Sequence, residues 1–293
     1  MAPLVPWRAE PDIYRGDLRE RLPAGLTVPR AFAVYDLDDE SAALWLELVA
    51  TRTIVWDVER HERAAYLLGR LAASPPVAPL VASAEPLRTP RLYADMWLRL
   101  TVLPALRSDQ LWRLPLVAHA FDDDLRTRML AAADALPDLL DELDDLPITT
   151  AHGDACTRNL EAEVDEGEPV VGVGDQHGAR RRSASTSASS SWEKSRWASD
   201  PRTPSRSSKT PACPPTSYGL RAEGSQATIA QVRRSHAILM TIFHGLSAIR
   251  FEHQGAAATD ALLHLFHQRA AAARFIFDLL HRTCRPGWRR GRS

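Results

Sequence analysis

Between Gly174 and Gly219 the sequence has no Leu, Ile, Val, Met or Phe, although the rest of the chain is dense in Leu and Ala. A segment without such side chains cannot bury enough apolar surface to offset its ordering entropy, so residues 174–219 are expected to be irregular and disordered. Eleven serines between Ser183 and Ser208, with Arg, Pro and Thr among them, give the same indication. The cysteines are few. Cys156, Cys213 and Cys284 stand far apart, with no Cys-x-x-Cys and no Cys/His spacing of a structural zinc site. That usage fits a reducing, cytoplasmic setting. No run of about 18 apolar residues occurs, and Met1 to Trp7 lacks the basic stretch and apolar core of a secretory signal. No membrane partner is therefore expected. The formal charge of -1 argues against a nucleic-acid partner, and the aromatic residues within the Arg/Ser tract are limited to Trp192 and Trp197.

What is present suits a folded chain: 293 residues, 45% hydrophobic and 25% charged, enough for one large domain or two modest ones. Residues 30–49 read as a hairpin, with Ala31 to Tyr35 as one strand, an acidic turn from Asp36 to Ser41, and Ala42 to Val49 as the other strand. From Asp57 to Ala73, Val58, Ala65, Leu68 and Leu71 keep a 3.6 period and predict an amphipathic helix, which Pro75 and Pro76 end. A second helix is predicted over Leu92 to Leu106. A third, over Asp124 to Leu143, should kink or split at Pro137. Ile148 to Ala151 is a short β-prone run. Thr228 to Ile249 carries Ile238, Leu239, Ile242, Phe243 and Leu246 at helical spacing. Thr259 to Leu280 carries Leu262, Leu263, Leu265, Phe266, Phe275, Ile276 and Leu279 in the same way. Arg282 to Ser293 reads as a disordered tail.

The β-prone run delivers the chain into His152-Gly153-Asp154-Ala155-Cys156-Thr157-Arg158-Asn159. Phosphoryl transfer needs a carboxylate that takes or orients the nucleophile's proton, and oxygen ligands that hold Mg²⁺ on the phosphates. Asp154 can be the first and Asn159 one of the second. Gly153 lets the backbone turn so that both side chains reach one cleft. A carboxylate that merely caps a turn is the structural alternative.

His152-Gly153-Asp154 to Asn159-Leu160 resembles the catalytic loop of the aminoglycoside phosphotransferase and choline kinase-like family, relatives of the protein kinases. The resemblance continues in the order of elements: the acidic-turn hairpin, Glu47 at the end of its second strand, the helix bearing Glu62 to Leu71, a long helix, and then the loop. It implies an α+β, mainly α fold, with a kinase-like helical C-terminal lobe and a truncated small β lobe. It also implies Asp154 as catalytic base, Asn159 as a Mg²⁺ ligand, and ATP contacts at Glu47 and Leu48 in the hinge. The family's second metal-binding Asp falls about sixteen to twenty residues on, and Asp175, in Val170 to Gln176, is the matching residue. Gln176 stands where the family has Trp.

The family also has a glycine-containing nucleotide loop, a phosphate-pairing Lys on its third strand and a helix-borne Glu. This chain has no matching loop and no Lys before Lys194. Trp7 to Tyr14 matches the helix, with Glu10 in the position of the Glu; an ordinary surface acid is the other reading of Glu10. Met1 then falls inside the small lobe, and an exposed sheet edge is expected.

Residues 174–219 are also open to a reading in another frame. Back-translated with GC-rich codons and read one base earlier, Ser183 to Ser195 can spell Gly-Phe-Asp-Leu-Gly-Gln-Leu-Val-Val-Gly-Glu-Val, which is similar to what the family places after its metal-binding Asp. The same shift through Pro201 to Tyr218 yields good helix formers at helical spacing. The expectation is a compensated pair of frameshifts, near Gln176 and near Tyr218. Sequencing the DNA across codons 170–222 tests it, and codons with no such open alternative frame contradict it.

The expected organisation is a small-lobe remnant over 1–50, a helical lobe with the catalytic loop over 51–173, the irregular segment 174–219, a C-terminal helical subdomain over 220–281 and a tail over 282–293. Two functions follow. One is ATP- and Mg²⁺-dependent transfer of phosphate to a small-molecule hydroxyl acceptor, with His236, His244, His253, His264 and His267 as candidate lining of the acceptor pocket or as packing residues. The other is a non-catalytic, degenerate kinase-like remnant or helical binding module. Metal-assisted hydrolysis by His152, Asp154, Asp175 and His177 is a third, without the helical spacing such sites use.

Overall fold

Sixteen helical segments and three two-stranded ladders account for most of the described chain, making the protein α+β and mainly helical. The computed structural model describes residues 8–49, 57–82, 89–146, 148–152, 155, 160, 171–172, 179–182, 215–253 and 255–283. In chain order these are α1 (Ala9–Arg15), α2 (Leu18–Arg21), β1 (Leu26–Thr27), β2 (Ala31–Asp36), β3 (Ala42–Leu46), α3 (Val58–Ala73) and α4 (Ala78–Ala82). They are followed by α5 (Thr89–Tyr93), which continues into a π-helical stretch (Ala94–Val102), α6 (Leu103–Leu106), α7 (Asp109–Trp112), α8 (Pro115–Ala120), α9 (Asp123–Asp134) and α10 (Leu136–Asp144). Next come β4 (Ile148–Ala151), β5 (Val171–Gly172), β6 (Ala179–Arg182), α11 (Pro215–Ala222), α12 (Ile229–Met240) with a π turn (Thr241–Gly245), a 3-10 turn (Phe251–His253) and α13 (Asp260–Arg282).

The chain divides into two compact units, one of residues 1–87 and 147–232, the other of 88–146 and 233–293. In the first, β2 and β3 form the expected hairpin, with a bulge between Ala31 and Ala33, and α1 lies against both strands. The second strand ends at Leu46, short of Val49. Asp57 caps α3 by accepting the Arg60 N–H at 2.9 Å, and the helix ends at Ser74, just before the two prolines. Its buried stripe is Ala64, Leu67, Leu68, Leu71 and Ala72. Val58, expected on that stripe, is 59% exposed because it occupies the first turn, ahead of the packed part of the helix. Leu26, Val28, Val77, Ala155 and Leu160 complete this core.

Two described elements fall inside the segment expected to be irregular. Strand β6 pairs antiparallel with β4, since ladder bonds use backbone groups and do not require apolar side chains. Helix α11 begins at Pro215, a residue suited to a first helical position, and lies against α3 through small residues. Arg70 on α3 donates to Glu223 just beyond α11 at 2.7 Å. The rest of 174–219 and the tail beyond Thr283 lie outside the described residues.

In the second unit, the helix predicted over Leu92 to Leu106 is present, but its middle is π-helical, with the Leu103 N–H donating to the Leu98 carbonyl. The widening falls where the ring of Pro104 would clash with the Leu100 carbonyl of a regular helix. The predicted break at Pro137 is a split: α9 ends at Asp134, and α10 restarts with Pro137 in its first turn. The core combines Leu98, Leu106, Leu125, Met129, Leu136, Leu139 and Leu140 with Ile238, Ile242 and Phe266. Phe275, expected in it, is 40% exposed; Ala270, Ala273 and Phe277 take that face of α13. Arg234 crosses this unit's interior to Glu142, with Nε and Nη2 at 2.9 and 2.7 Å from its two carboxylate oxygens, and donates to the Leu280 carbonyl at 3.2 Å.

Candidate functional site

The loop that carries Asp154 and Asn159 begins at a defined place in the first unit. Strand β4 pairs with β6 in the register Ile148 with Arg182, Thr149 with Arg181, Thr150 with Arg180 and Ala151 with Ala179. The chain thus leaves β4 at the same end of the ladder at which it enters β6. His152, one residue past β4, is buried, as is Thr150. Ala155 and Leu160 are both fully packed in the core of Leu26, Leu67, Leu68 and Leu71. Asp154 adjoins the first of these anchors and Asn159 the second. Asp154, Asn159 and Asp175 themselves lie outside the described residues.

On the downstream side, β5 runs parallel to β1, with Leu26 opposite Val171 and Thr27 opposite Gly172. Asp175 follows β5 by three residues and precedes β6 by four. The segment holding Asp175 is therefore tied at both ends, to β1 and to β4, in the same unit as the segment holding Asp154.

Glu47 and Leu48 follow β3. The Glu47 N–H donates to the Arg30 carbonyl at 2.8 Å, and its carboxylate Oε2 accepts the Arg30 N–H at 3.0 Å and Arg19 Nη1 at 3.2 Å. The Arg30 backbone N–H and then the Arg19 guanidinium hold this carboxyl below the usual carboxylate range. Leu48 is 96% exposed. The Glu47 side chain closes the base of the hairpin, and the residue after it is open to solvent.

Glu10 lies in the first turn of α1, the helix on the hairpin, and is half-buried; burial pushes its carboxyl above the usual range. The five histidines expected to line a pocket are dispersed. His264 and His267 are exposed on α13, His253 is in a 3-10 turn, and His236 and His244 are mostly buried. A surface recess in the first unit is lined instead by Arg221, Ser225, Gln226 and Thr228. Among the described residues no three His, Cys, Asp or Glu side chains are close enough to hold a metal ion.

Three features escaped the sequence reading. The anchoring of Ala155 and Leu160 was legible in principle, since both flank the polar positions of the loop. The contact of α3 with α11 and the Arg234–Glu142 pair join residues far apart in the chain and leave no local pattern. No helix among the described residues is long and apolar enough to cross a membrane. No protein-family model matches the chain, and neither does any of the curated proteins compared with it.

Proposed function

We propose that this chain is a kinase-like phosphotransferase of the aminoglycoside phosphotransferase and choline kinase-like type, transferring the terminal phosphate of ATP to a hydroxyl of a small molecule. The observation that carries the reading is the β4–β6 register. With Ala151 opposite Ala179, the loop after His152 and the segment holding Asp175 adjoin one end of one ladder. The order helix, hairpin, exposed hinge residue, helix, strand and His-Gly-Asp loop supports it too.

In this reading Asp154 accepts the acceptor hydroxyl's proton as that oxygen bonds to the terminal phosphorus and the bond to the bridging oxygen of ATP breaks. Asn159 and Asp175 offer the hard oxygen donors Mg²⁺ prefers, and the ion when bound neutralises phosphate charge. Backbone groups at Glu47 and Leu48 meet the nucleotide base. Ala155 and Leu160, the sequence neighbours of Asp154 and Asn159, are buried in the core and tie the loop down at two points.

A second reading, a non-catalytic remnant or helical binding module, is favoured by a departure within the chain: Gln176 stands where the family has Trp after its metal-binding Asp. Thermal unfolding with and without Mg²⁺-ATP, together with ATP turnover, separates the two. Stabilisation of both the wild type and Asp154→Ala points to nucleotide binding, and the phosphotransferase reading further predicts ATP turnover that Asp154→Ala abolishes; stabilisation without turnover favours a binding module. No shift in either protein favours the remnant.

A further inference from the structure

We propose that His119 of α8 and His267 of α13 form a two-histidine site for a divalent transition ion of the Zn²⁺ type, which clamps the two helices together when bound. The inference is independent of the phosphotransfer reading, since both residues belong to the second unit and the Asp154 loop to the first.

The two rings stand at the separation such an ion requires. Their centroids are 5.0 Å apart, with the ring planes at 68°. One nitrogen of each ring at about 2.0–2.1 Å from Zn²⁺, with the tetrahedral angle between the two bonds, puts the ring centroids about 5 Å apart. Edge contact between two imidazoles that serves packing alone is the alternative. Two observations favour the ion. Both side chains are exposed among the described residues, and neither belongs to the buried core of this unit. Neither ring bonds through its nitrogens to another described residue, whereas His61 Nδ1 lies 2.6 Å from the Asp57 carbonyl and His264 Nε2 lies 2.9 Å from Gln268 Nε2. A neutral imidazole carries one acceptor nitrogen, Nδ1 or Nε2 according to tautomer, so the pair offers two lone pairs to one ion.

The helices beneath the rings are fixed by packing and not by the histidines. Leu116, Val117 and Ala120 of α8 share one core with Phe266, Ala270 and Ala273 of α13. Arg274, two turns along α13 from His267, donates through Nη2 to the Ala120 carbonyl at 3.4 Å and to Asp122 Oδ2 at 2.9 Å. Those bonds pin the end of α8 on which His119 stands. An ion therefore meets ligands on two rigid backbones and has only side-chain rotation to restrict.

Ligand chemistry selects the ion. Imidazole nitrogen suits Zn²⁺, Cu²⁺ and Ni²⁺, whereas Mg²⁺ takes oxygen ligands. Among the described residues no third His, Cys, Asp or Glu is close enough to complete a cage, so water fills the remaining positions.

Thermal unfolding of the full chain in ZnCl₂ from about 1 µM to about 1 mM tests the proposal, because an ion held by the folded state raises the midpoint. The wild type is expected to gain about 3 °C or more at saturating Zn²⁺. His119→Gln and His267→Gln, both at exposed positions, are expected to keep the circular dichroism spectrum of the wild type. Each is expected to need at least about tenfold more Zn²⁺ for the same shift. The double variant is expected to respond much as either single variant does, because one imidazole alone holds the ion poorly. MgCl₂ over the same range is expected to act alike on the wild type and the variants. An unchanged or lowered midpoint of the wild type in Zn²⁺ overturns the proposal. So does an undiminished Zn²⁺ response in either folded variant, or losses that add in the double variant, which would place the two histidines at separate sites.

Discussion

Gly219 of α11 lies directly on the backbone of α3 at Tyr66: a Cβ at Gly219 would come within 2.0 Å of the Tyr66 carbonyl oxygen. The contact is reciprocal, since a Cβ at Gly69 would lie 2.3 Å from the Thr216 carbonyl oxygen. Backbone atoms cannot rotate aside, so any side chain at either position forces the helices apart.

Gly219→Ala is therefore expected to destabilise the protein even though alanine favours a helix by about 1 kcal/mol over glycine. The overpacking cost is about 1–3 kcal/mol or more and outweighs that gain. Chemical denaturation checks the sign. The exposed Gly224, at φ +84° with nothing within 4 Å of a Cβ, is the comparison, since Gly224→Ala costs backbone strain without overpacking.

The Arg234–Glu142 pair leads to a second expectation. The Arg234 side chain is 8% exposed and that of Glu142 25%. Glu142→Ala leaves the guanidinium buried without its carboxylate and is expected to cost about 3 kcal/mol in urea unfolding. Replacing both partners, as Arg234→Met with Glu142→Leu, is expected to recover part of that loss. A double variant no more stable than Glu142→Ala contradicts the assignment.

His236 gives the protein a pH dependence. Burial pushes its imidazole from 6.5 down to about 4. The folded state thus holds the neutral ring while the unfolded chain takes up a proton below pH 6.5. This contribution is complete above pH 6.5 and is lost as the pH falls toward 4, by an amount on the order of 2–3 kcal/mol. His236→Gln is expected to flatten the loss of stability between pH 7 and about pH 4.5. A wild type and variant that lose stability in parallel over that interval would show that His236 is not responsible.

Local signals carried much of the architecture. The acidic turn between two apolar runs gives β2 and β3, Asp57 and the proline pair bound α3, and Pro137 divides α9 from α10. Periodicity alone could not fix which part of a face is covered. Val58 and Phe275 keep the helical spacing yet stand exposed, because coverage depends on the elements that arrive from elsewhere in the chain. Strands β1 and β5 are two residues each, too short to show an alternation, and exist through pairing with one another. Strand β6 is similar, since Ala179 to Arg182 reads as solvated surface and becomes a strand only because β4 offers its backbone. At the candidate site, His152 and the bracketing residues Ala155 and Leu160 are in a described part of the loop, whereas Asp154, Asn159 and Asp175 lie outside the described residues.

The most direct test of the account is ADP formation from Mg²⁺-ATP by the wild type and by Asp154→Ala, with an aminoglycoside, choline and a sugar as alternative hydroxyl acceptors. Acceptor-dependent ADP formation by the wild type is expected, and Asp154→Ala is expected to lower it by about 10²-fold or more, the usual contribution of a positioned general base. ADP formation no faster than a protein-free blank, or equal in the two proteins, would contradict it.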